Sequence, residues 1–337
     1  MNYPHLVRRS LDAIARRAFV VFALGFAFAC ATPRPAETSQ VSPSADVTPS
    51  APQAETNSGD DEAPPAWTRP FLWRIEGKTP SYLFATIHVA DARLAPAPAA
   101  VISAFNDVQV LNTEVPMDKL DAAKLAPRVQ LPGNKTLCDV LSHATCSRIE
   151  DAITARHLPW EPFRRMKPWV IATQLTFLDR VIRNTEQPPL DAGLYQEARD
   201  ANKEVGGLET VDEQFAALDG LSAEEQGYIV KDALDSLDRQ KAGAVDPVAE
   251  ILDAYISGED DAAMRVIAKA PDPKNAVGVR IHKRLIADRS VVMATRIAKR
   301  VQSGKSHMFA LGLAHLLGSD SVIAVLVKRG VKVTRVE

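Results

Sequence analysis

Two apolar runs, Phe71-Leu72-Trp73-Arg74-Ile75-Glu76 and Tyr82-Leu83-Phe84-Ala85-Thr86-Ile87, flank the segment Gly77-Lys78-Thr79-Pro80-Ser81. Aromatic and β-branched residues in the runs favour strands, and the glycine and proline between them favour a turn. The pattern therefore predicts a β-hairpin. Because the hairpin follows a long polar, proline-rich stretch, we expect one globular domain that begins near Trp67 and covers residues 67–337.

The carboxyl end of the chain carries a second group of strand signals. A buried strand is predicted over residues 305–312, a helix over residues 322–328 and a final strand over residues 331–336. Two further strands are predicted at residues 108–113 and 204–209. A strand, a helix and a strand in this order indicate a crossover connection within a mixed sheet.

Most of the chain between these strands has a helical pattern. A short helix is predicted over residues 99–106, and apolar residues recur at helical spacing over residues 117–201 and again over residues 212–304. The fold class is therefore predicted to be α/β, with a mixed central β-sheet, a long helical middle section and strands at both ends of the domain.

The cysteines leave two alternatives open. Beyond Cys30, the chain contains only Cys138 and Cys146. On one continuous helix they would lie about 12 Å apart along the axis, which is too far for a disulfide. A turn at Leu141-Ser142-His143, with Ser142 capping a new helix, would bring them closer. They are then either a disulfide, as an oxidising compartment permits, or two small buried apolar side chains.

The first 29 residues are typical of a signal peptide. Four arginines and one aspartate precede a 12-residue apolar run, residues 18–29, which is too short to span a bilayer. The run ends at Ala27-Phe28-Ala29-Cys30, which suits ordinary cleavage and also places Cys30 where a lipoprotein is acylated. We expect export to the cell envelope, with the protein either anchored to the membrane through a lipid on Cys30 or free in the periplasm.

Residues 30–66 are predicted to form a disordered tether. They contain seven prolines and only two large aliphatic residues, Val41 and Val47, so burial of apolar surface cannot offset the loss of chain entropy. A proline-rich acidic chain is extended and would hold the domain away from a membrane surface. The alternative is a low-complexity segment without an anchoring role.

The distribution of charge argues against a nucleic-acid partner. The formal net charge is −2, the leader is positive, the tether carries six acidic residues against one arginine, and the domain is close to neutral. No basic surface of the kind that binds phosphate backbones is indicated.

Three residues with catalytic chemistry follow predicted strands. His88 closes Ala85-Thr86-Ile87-His88, His315 closes Gly312-Leu313-Ala314-His315, and Glu114 follows the strand at residues 108–113. Ligands of open α/β sheets bind at the carboxyl ends of strands, and two imidazoles with a carboxylate suit a divalent metal that keeps a position for water. Alternatively, each is a structural, hydrogen-bonded residue or a solvated cap. His307 is excluded because it lies near the opposite end of the strand that leads to His315.

Several stretches resemble the TraB/GumN family, which is related to the Tiki metalloproteases and more distantly to the erythromycin-esterase-like proteins. They occur in the family's order, at residues 71–94, Glu114, 166–169, 207–214 and 312–318. The resemblance covers almost the whole of residues 67–337 and places the family's two G-x-x-H motifs at residues 85–88 and 312–315.

The resemblance implies a function and a set of site residues. In the Tiki relatives these motifs belong to a metal-dependent peptidase site, so His88, Glu114 and His315 are expected to hold a divalent ion such as Mn, Co or Zn and to act on a peptide or protein substrate. Arg289 matches a polar position of the family and would orient a carboxylate or stabilise an oxyanion. The alternative for Arg289 is a surface arginine paired with a nearby acid.

The first motif departs from the family pattern because Ala85 replaces its glycine. Alanine would strain the turn if that position needs a positive φ, and it would be tolerated if the position needs only a small side chain. A competing hypothesis for the whole protein is a non-catalytic scaffold that binds a peptide or pheromone-like ligand or assists envelope assembly.

The first prediction concerns Cys30. The exported protein should partition with membranes, and its intact mass should show an acylated Cys30 at the new amino terminus. Cys30→Ser removes the acceptor thiol and should release the protein into the soluble fraction. A soluble, unmodified wild-type chain would instead favour ordinary signal-peptidase cleavage.

Overall fold

The computed structural model describes residues 67–183, 188–269 and 274–336. The predicted signal peptide at residues 1–29, Cys30 and the predicted tether at residues 30–66 lie outside them. None of the helices in this described part of the chain is both long enough and apolar enough to cross a membrane.

Six strands form one mixed sheet within the described residues. They are β1 (Leu72–Ile75), β2 (Ser81–Thr86), β3 (Val110–Thr113), β4 (Glu204–Gly207), β5 (His307–Gly312) and β6 (Val333–Arg335). Their order across the sheet is β4-β3-β5-β2-β1-β6. The strands β4, β3, β5 and β2 run parallel, whereas β1 pairs antiparallel with both β2 and β6.

Helices make up most of the chain between the strands. They are α1 (Ala99–Asn106), α2 (Ala122–Leu125), α3 (Leu137–Val140), α4 (His143–Thr154), α5 (Pro168–Arg183), α6 (Leu190–Asp200), α7 (Val211–Asp219), α8 (Ala223–Lys241), α9 (Pro247–Ser257), α10 (Asp260–Ile267), α11 (Ala276–His282), α12 (Asp288–Arg300) and α13 (Val322–Lys328). A π-helical turn, Lys283–Ala287, joins α11 to α12. The predicted α/β class, with a mixed sheet and a long helical middle section, is confirmed.

The core consists of two hydrophobic clusters. One surrounds the sheet, where β3 and β5 are almost wholly buried and pack against α9, α12 and α13. The other lies among α4, α5, α7 and α8. Burial on both faces explains why β2 and β5 are largely apolar in the sequence.

Cys138 and Cys146 form a disulfide across the turn between α3 and α4, with their Cα atoms 5.2 Å apart. The helix α3 ends at Val140, and the Ser142 hydroxyl accepts the backbone N–H of Thr145 as the cap of α4. The turn brings Cys138 and Cys146 closer together than they would be on one continuous helix. The sequence left the disulfide open, and the structure contains it.

The disulfide should contribute measurably to stability. Replacing both Cys138 and Cys146 with serine removes a cross-link over a short loop, so the free energy of unfolding should fall by about 2 kcal/mol in urea denaturation. Thiol labelling of denatured, unreduced wild-type protein should find both cysteines blocked. Labelling of both would contradict the bond.

Candidate functional site

Four neighbouring parallel strands end at one edge of the sheet. In sheet order these are β4, β3, β5 and β2, and the residues just beyond their carboxyl ends include Glu209, Glu114, His315 and His88 respectively. Carboxyl ends of parallel strands are the usual ligand-binding edge of an α/β sheet. The edge therefore carries two carboxylates and two imidazoles in adjacent positions.

The side chains of His88, Glu114 and His315 meet beside Gly312. A Cβ atom placed on Gly312 would lie 3.0 Å from Glu114 Oε1, 3.4 Å from His88 Nε2 and 4.0 Å from His315 Cδ2. His88 Nε2 is 3.8 Å from Glu114 Oε1, and the Gly312 N–H donates to the same carboxylate oxygen at 2.8 Å. The structure thus brings together three residues that are far apart in the sequence.

Arg289 connects two carboxylates at this edge. It lies in the first turn of α12 and is only 8% exposed. Its Nη2 donates to Glu114 Oε2 at 2.8 Å and to Glu209 Oε2 at 2.6 Å, and its Nε donates to both Glu209 oxygens at 3.1 Å. Arg289 is therefore a buried partner of the site and holds the Glu114 carboxylate in place.

The charges of these groups depend on one another. Burial opposes ionisation of Glu114, but the positive charges that His315, Arg289 and His88 can carry, together with the Gly312 N–H, outweigh it and hold the Glu114 pKa well below its ordinary value. Burial likewise opposes the charge of Arg289, but Glu114 and Glu209 raise its pKa above the ordinary value. For Glu209, burial dominates and raises the pKa. Glu114 and Arg289 consequently stay charged at neutral pH.

The two histidines differ in protonation. Burial would lower the pKa of His88, but the charge and hydrogen bond of Asp191, together with Glu114, raise it to about 9. For His315, burial is the largest influence and lowers the pKa to about 4. At neutral pH His88 is therefore an imidazolium and His315 is a neutral imidazole.

Two helical residues that the sequence analysis missed hold the imidazole rings. Asp191 Oδ2, in the first turn of α6, is 3.0 Å from His88 Nδ1, and Ser290 Oγ, in α12, is 3.0 Å from His315 Nδ1. Hydrogen bonds at Nδ1 fix the orientation of each ring. No sequence signal marks either residue, since both lie on helices rather than at strand ends.

Glu209 was also missed, although its signal was present in the sequence. It follows β4 as Glu114 follows β3, and its backbone N–H donates to the Glu114 carbonyl at 2.7 Å. His307, by contrast, lies at the opposite end of β5, where its ring nitrogens are 3.2 Å from Asn112 Nδ2 and from Ser303 Oγ.

The match of a family model to residues 71–335 covers nearly the whole described domain. The chain belongs to the TraB/PrgY/gumN family. This confirms the family that the sequence motifs indicated.

Curated relatives of this family member are metalloproteases. Metalloprotease TIKI1 of Danio rerio is 26% identical over 309 residues, which are 78% of this chain and 62% of that protein. Metalloprotease TIKI2 of Xenopus tropicalis is 26% identical over 310 residues, 78% of this chain and 59% of that protein. Human metalloprotease TIKI1 is 24% identical over 315 residues, which are 78% of this chain and 61% of that protein. The chain thus spans about 60% of the length of these relatives. No solved structure matches it.

The side chains of His88, His315 and Glu114 carry donor atoms that suit a divalent ion. Two imidazole nitrogens and a carboxylate form a common metal-binding set, and ligand bonds of about 2.0–2.2 Å allow two donor atoms 3.8 Å apart to share an ion. Asp191 Oδ1 is buried with no hydrogen-bond partner among the described residues, whereas Oδ2 of the same carboxyl group lies 3.0 Å from His88 Nδ1. Among the described residues, no group of three His, Cys, Asp or Glu side chains has the spacing needed to hold a metal ion. Glu114 instead accepts from Arg289 and Gly312.

Ala85 does not strain the first motif. It is fully buried within β2, and among the described non-glycine residues only His157 and Asn202 have a positive φ. The Ala85 carbonyl accepts the Tyr255 hydroxyl at 2.6 Å. The position therefore requires no glycine conformation.

Gly312 should be sensitive to substitution because of space rather than conformation. Gly312 has a φ of −53°, which alanine can adopt. The added methyl group of Gly312→Ala would press on Glu114 Oε1 and His88 Nε2, so the free energy of unfolding should fall by about 1–3 kcal/mol. Gly227→Ala is the matched control because nothing lies within 4 Å of its added Cβ in α8, and it should gain about 1 kcal/mol. Equal effects of the two substitutions in urea unfolding would show that the Gly312 contacts are absent.

Proposed function

We propose that this protein is a metal-dependent peptidase that acts at the cell envelope on a peptide or protein substrate. The observation that carries the proposal is the convergence of His88, Glu114 and His315 beside Gly312. The metalloprotease relatives support it, since their similarity extends over 78% of this chain.

His88, His315 and Glu114 would hold the ion, through Nε2 of each ring and through the carboxylate. A bound divalent ion supplies Lewis acidity, which polarises a carbonyl group and lowers the pKa of water. Asp191 and Ser290 fix the rings by their hydrogen bonds at Nδ1. Such partners of ligating histidines set the ring orientation and typically affect metal affinity by about 10- to 100-fold.

Arg289 would have two roles: it would hold the Glu114 carboxylate in place, and it would stabilise negative charge on the substrate. Its guanidinium keeps Glu114 ionised and fixed in direction, while Glu209 fixes the guanidinium itself. A permanently charged donor beside the ligand set also suits stabilisation of negative charge on a substrate oxygen.

The envelope location is proposed from the leader, Cys30 and the tether. The disulfide between Cys138 and Cys146 supports it, because disulfides persist in oxidising compartments. A lipid on Cys30 and an extended tether would present the site to substrates near the membrane surface.

A second candidate is a non-catalytic protein that binds a peptide or pheromone-like ligand or assists envelope assembly. The observation in its favour is that both Glu114 oxygens already accept hydrogen bonds, one from Arg289 and the other from the Gly312 N–H. The two candidates differ in whether a divalent ion binds and supports turnover.

If His88, Glu114 and His315 bind the metal ion, replacing any one of them should weaken metal binding and abolish cleavage. His88→Ala, Glu114→Gln and His315→Ala should each weaken binding of Mn²⁺, Co²⁺ or Zn²⁺ by at least about tenfold, and each should abolish cleavage in a peptide-library assay. Metal content is checked by elemental analysis, and the fold by circular dichroism.

His307→Ala is the matched control because it removes a buried histidine from the other end of β5. Folded His307→Ala should bind metal and cleave peptides like the wild type. Wild-type protein that binds no divalent ion and cleaves nothing would favour the binding-protein candidate.

A further inference from the structure

A cavity of about 670 Å³ opens onto the site, and its wall is predominantly apolar. His88, Glu114, Arg289 and His315 lie on the wall at the strand ends. The apolar part includes Leu175, Phe177, Leu237, Ile251, Ile286 and Leu313. A cavity of this size takes a few residues of an extended chain or a small molecule.

Two buried polar side chains on this wall have unused hydrogen-bonding groups. Thr86 is 1% exposed and Gln214 is 4% exposed, and neither Thr86 Oγ1 nor Gln214 Nε2 has a hydrogen-bond partner among the described residues. Leaving such groups unpaired lowers the stability of the folded state. A polar group that is kept at this cost beside a site is suited to pairing with a ligand.

Thr86 lies next to the proposed ligand set, and Gln214 lies on the helix that follows Glu209. Thr86 is the register partner of Gly312, beside which His88 and Glu114 meet. Gln214 lies in the first turns of α7, just after Glu209. Both residues line the same cavity as His88, Glu114 and His315.

Charges elsewhere on the wall have partners of opposite sign. Asp246 accepts from Arg180 at 3.0 Å, and Glu250 accepts from Lys269 at 2.9 Å. Burial raises the pKa of Asp232, and the neighbouring charge of Arg239 opposes that rise. The wall thus offers little unbalanced charge for an ionic ligand such as a phosphate ester.

We propose that this cavity binds a peptide segment with an apolar side chain beside the cleavage point, with Gln214 donating an N–H to a peptide carbonyl and Thr86 bonding a second peptide group. A wholly apolar ligand would leave both groups unpaired, and an oligosaccharide would need a more polar wall. The inference rests on the proposed peptidase function in taking the ligand to be a peptide and in placing its apolar side chain beside a cleavage point.

The first test compares two capped peptides on the metal-free protein by calorimetric titration. Acetyl-Ala-Ala-Leu-Ala-Ala-amide should bind at least about tenfold more tightly than the same peptide with Asp in place of Leu, because burying a carboxylate against an apolar wall is unfavourable. Equal affinity for the two peptides, or binding of neither, would overturn the proposal.

The second test replaces the unpaired groups with apolar side chains of similar shape. Thr86→Val and Gln214→Met should each weaken binding of the leucine peptide about 5- to 10-fold. Both should also raise the thermal midpoint by roughly 2–4 °C, since an unpaired buried group is removed. Variants that melt earlier and bind as tightly as the wild type would show that the two side chains serve only the fold.

Gln174→Met is the matched control. Gln174 is also fully buried, and both of its amide atoms lack partners among the described residues, but it is not part of the cavity wall. Its substitution should raise the thermal midpoint without changing peptide affinity. A loss of affinity like that of Gln214→Met would overturn the assignment of Gln214.

The outcomes separate this proposal from the proposed function. Leucine-selective binding that depends on Thr86 and Gln214, without cleavage in the presence of any divalent ion, supports the cavity assignment and contradicts the peptidase function. Cleavage whose KM and side-chain preference are unchanged in Thr86→Val and Gln214→Met supports the function and overturns the cavity assignment.

Discussion

The site depends on the buried contact of Arg289 with Glu114 and Glu209. A guanidinium that is 8% exposed is stable only because two carboxylates surround it. Removing one member of such a group typically costs about 3–5 kcal/mol, because an unpaired charge stays buried. Since the three residues come from α12 and from the ends of β3 and β4, their contact fixes helix and sheet relative to each other.

This contact also sets the chemical state of the site. Glu114 is directed by Arg289 on one oxygen and by the Gly312 N–H on the other, so it remains ionised next to His88. His88 in turn keeps its proton because Asp191 and Glu114 lie beside it, whereas burial leaves His315 neutral. Burying this much charge lowers the stability of the fold. Such a cost is expected at a site whose residues are kept for function rather than for stability.

The sequence predicts the elements better than their arrangement. The apolar pattern predicts α1 and α13 with their observed bounds, and the strand-end rule indicates His88, Glu114 and His315 as neighbours. Spacing alone does not give the strand order, because β5 is inserted between β2 and β3 from the far end of the chain. Asp191 and Ser290 were missed for a related reason: helices reach the site by packing, and packing partners leave no local pattern.

The two motifs look equivalent in the sequence but are offset by one residue in the sheet. Thr86, not Ala85, is the register partner of Gly312, and Ala85 pairs with Leu311. Because side chains alternate between the two faces of a strand, Ala85 and Gly312 face opposite sides. Ala85 is packed in the core, whereas Gly312 leaves the space in which His88 and Glu114 meet. Only the second motif therefore needs glycine for room at the site, and alanine in the first motif costs the site no geometry.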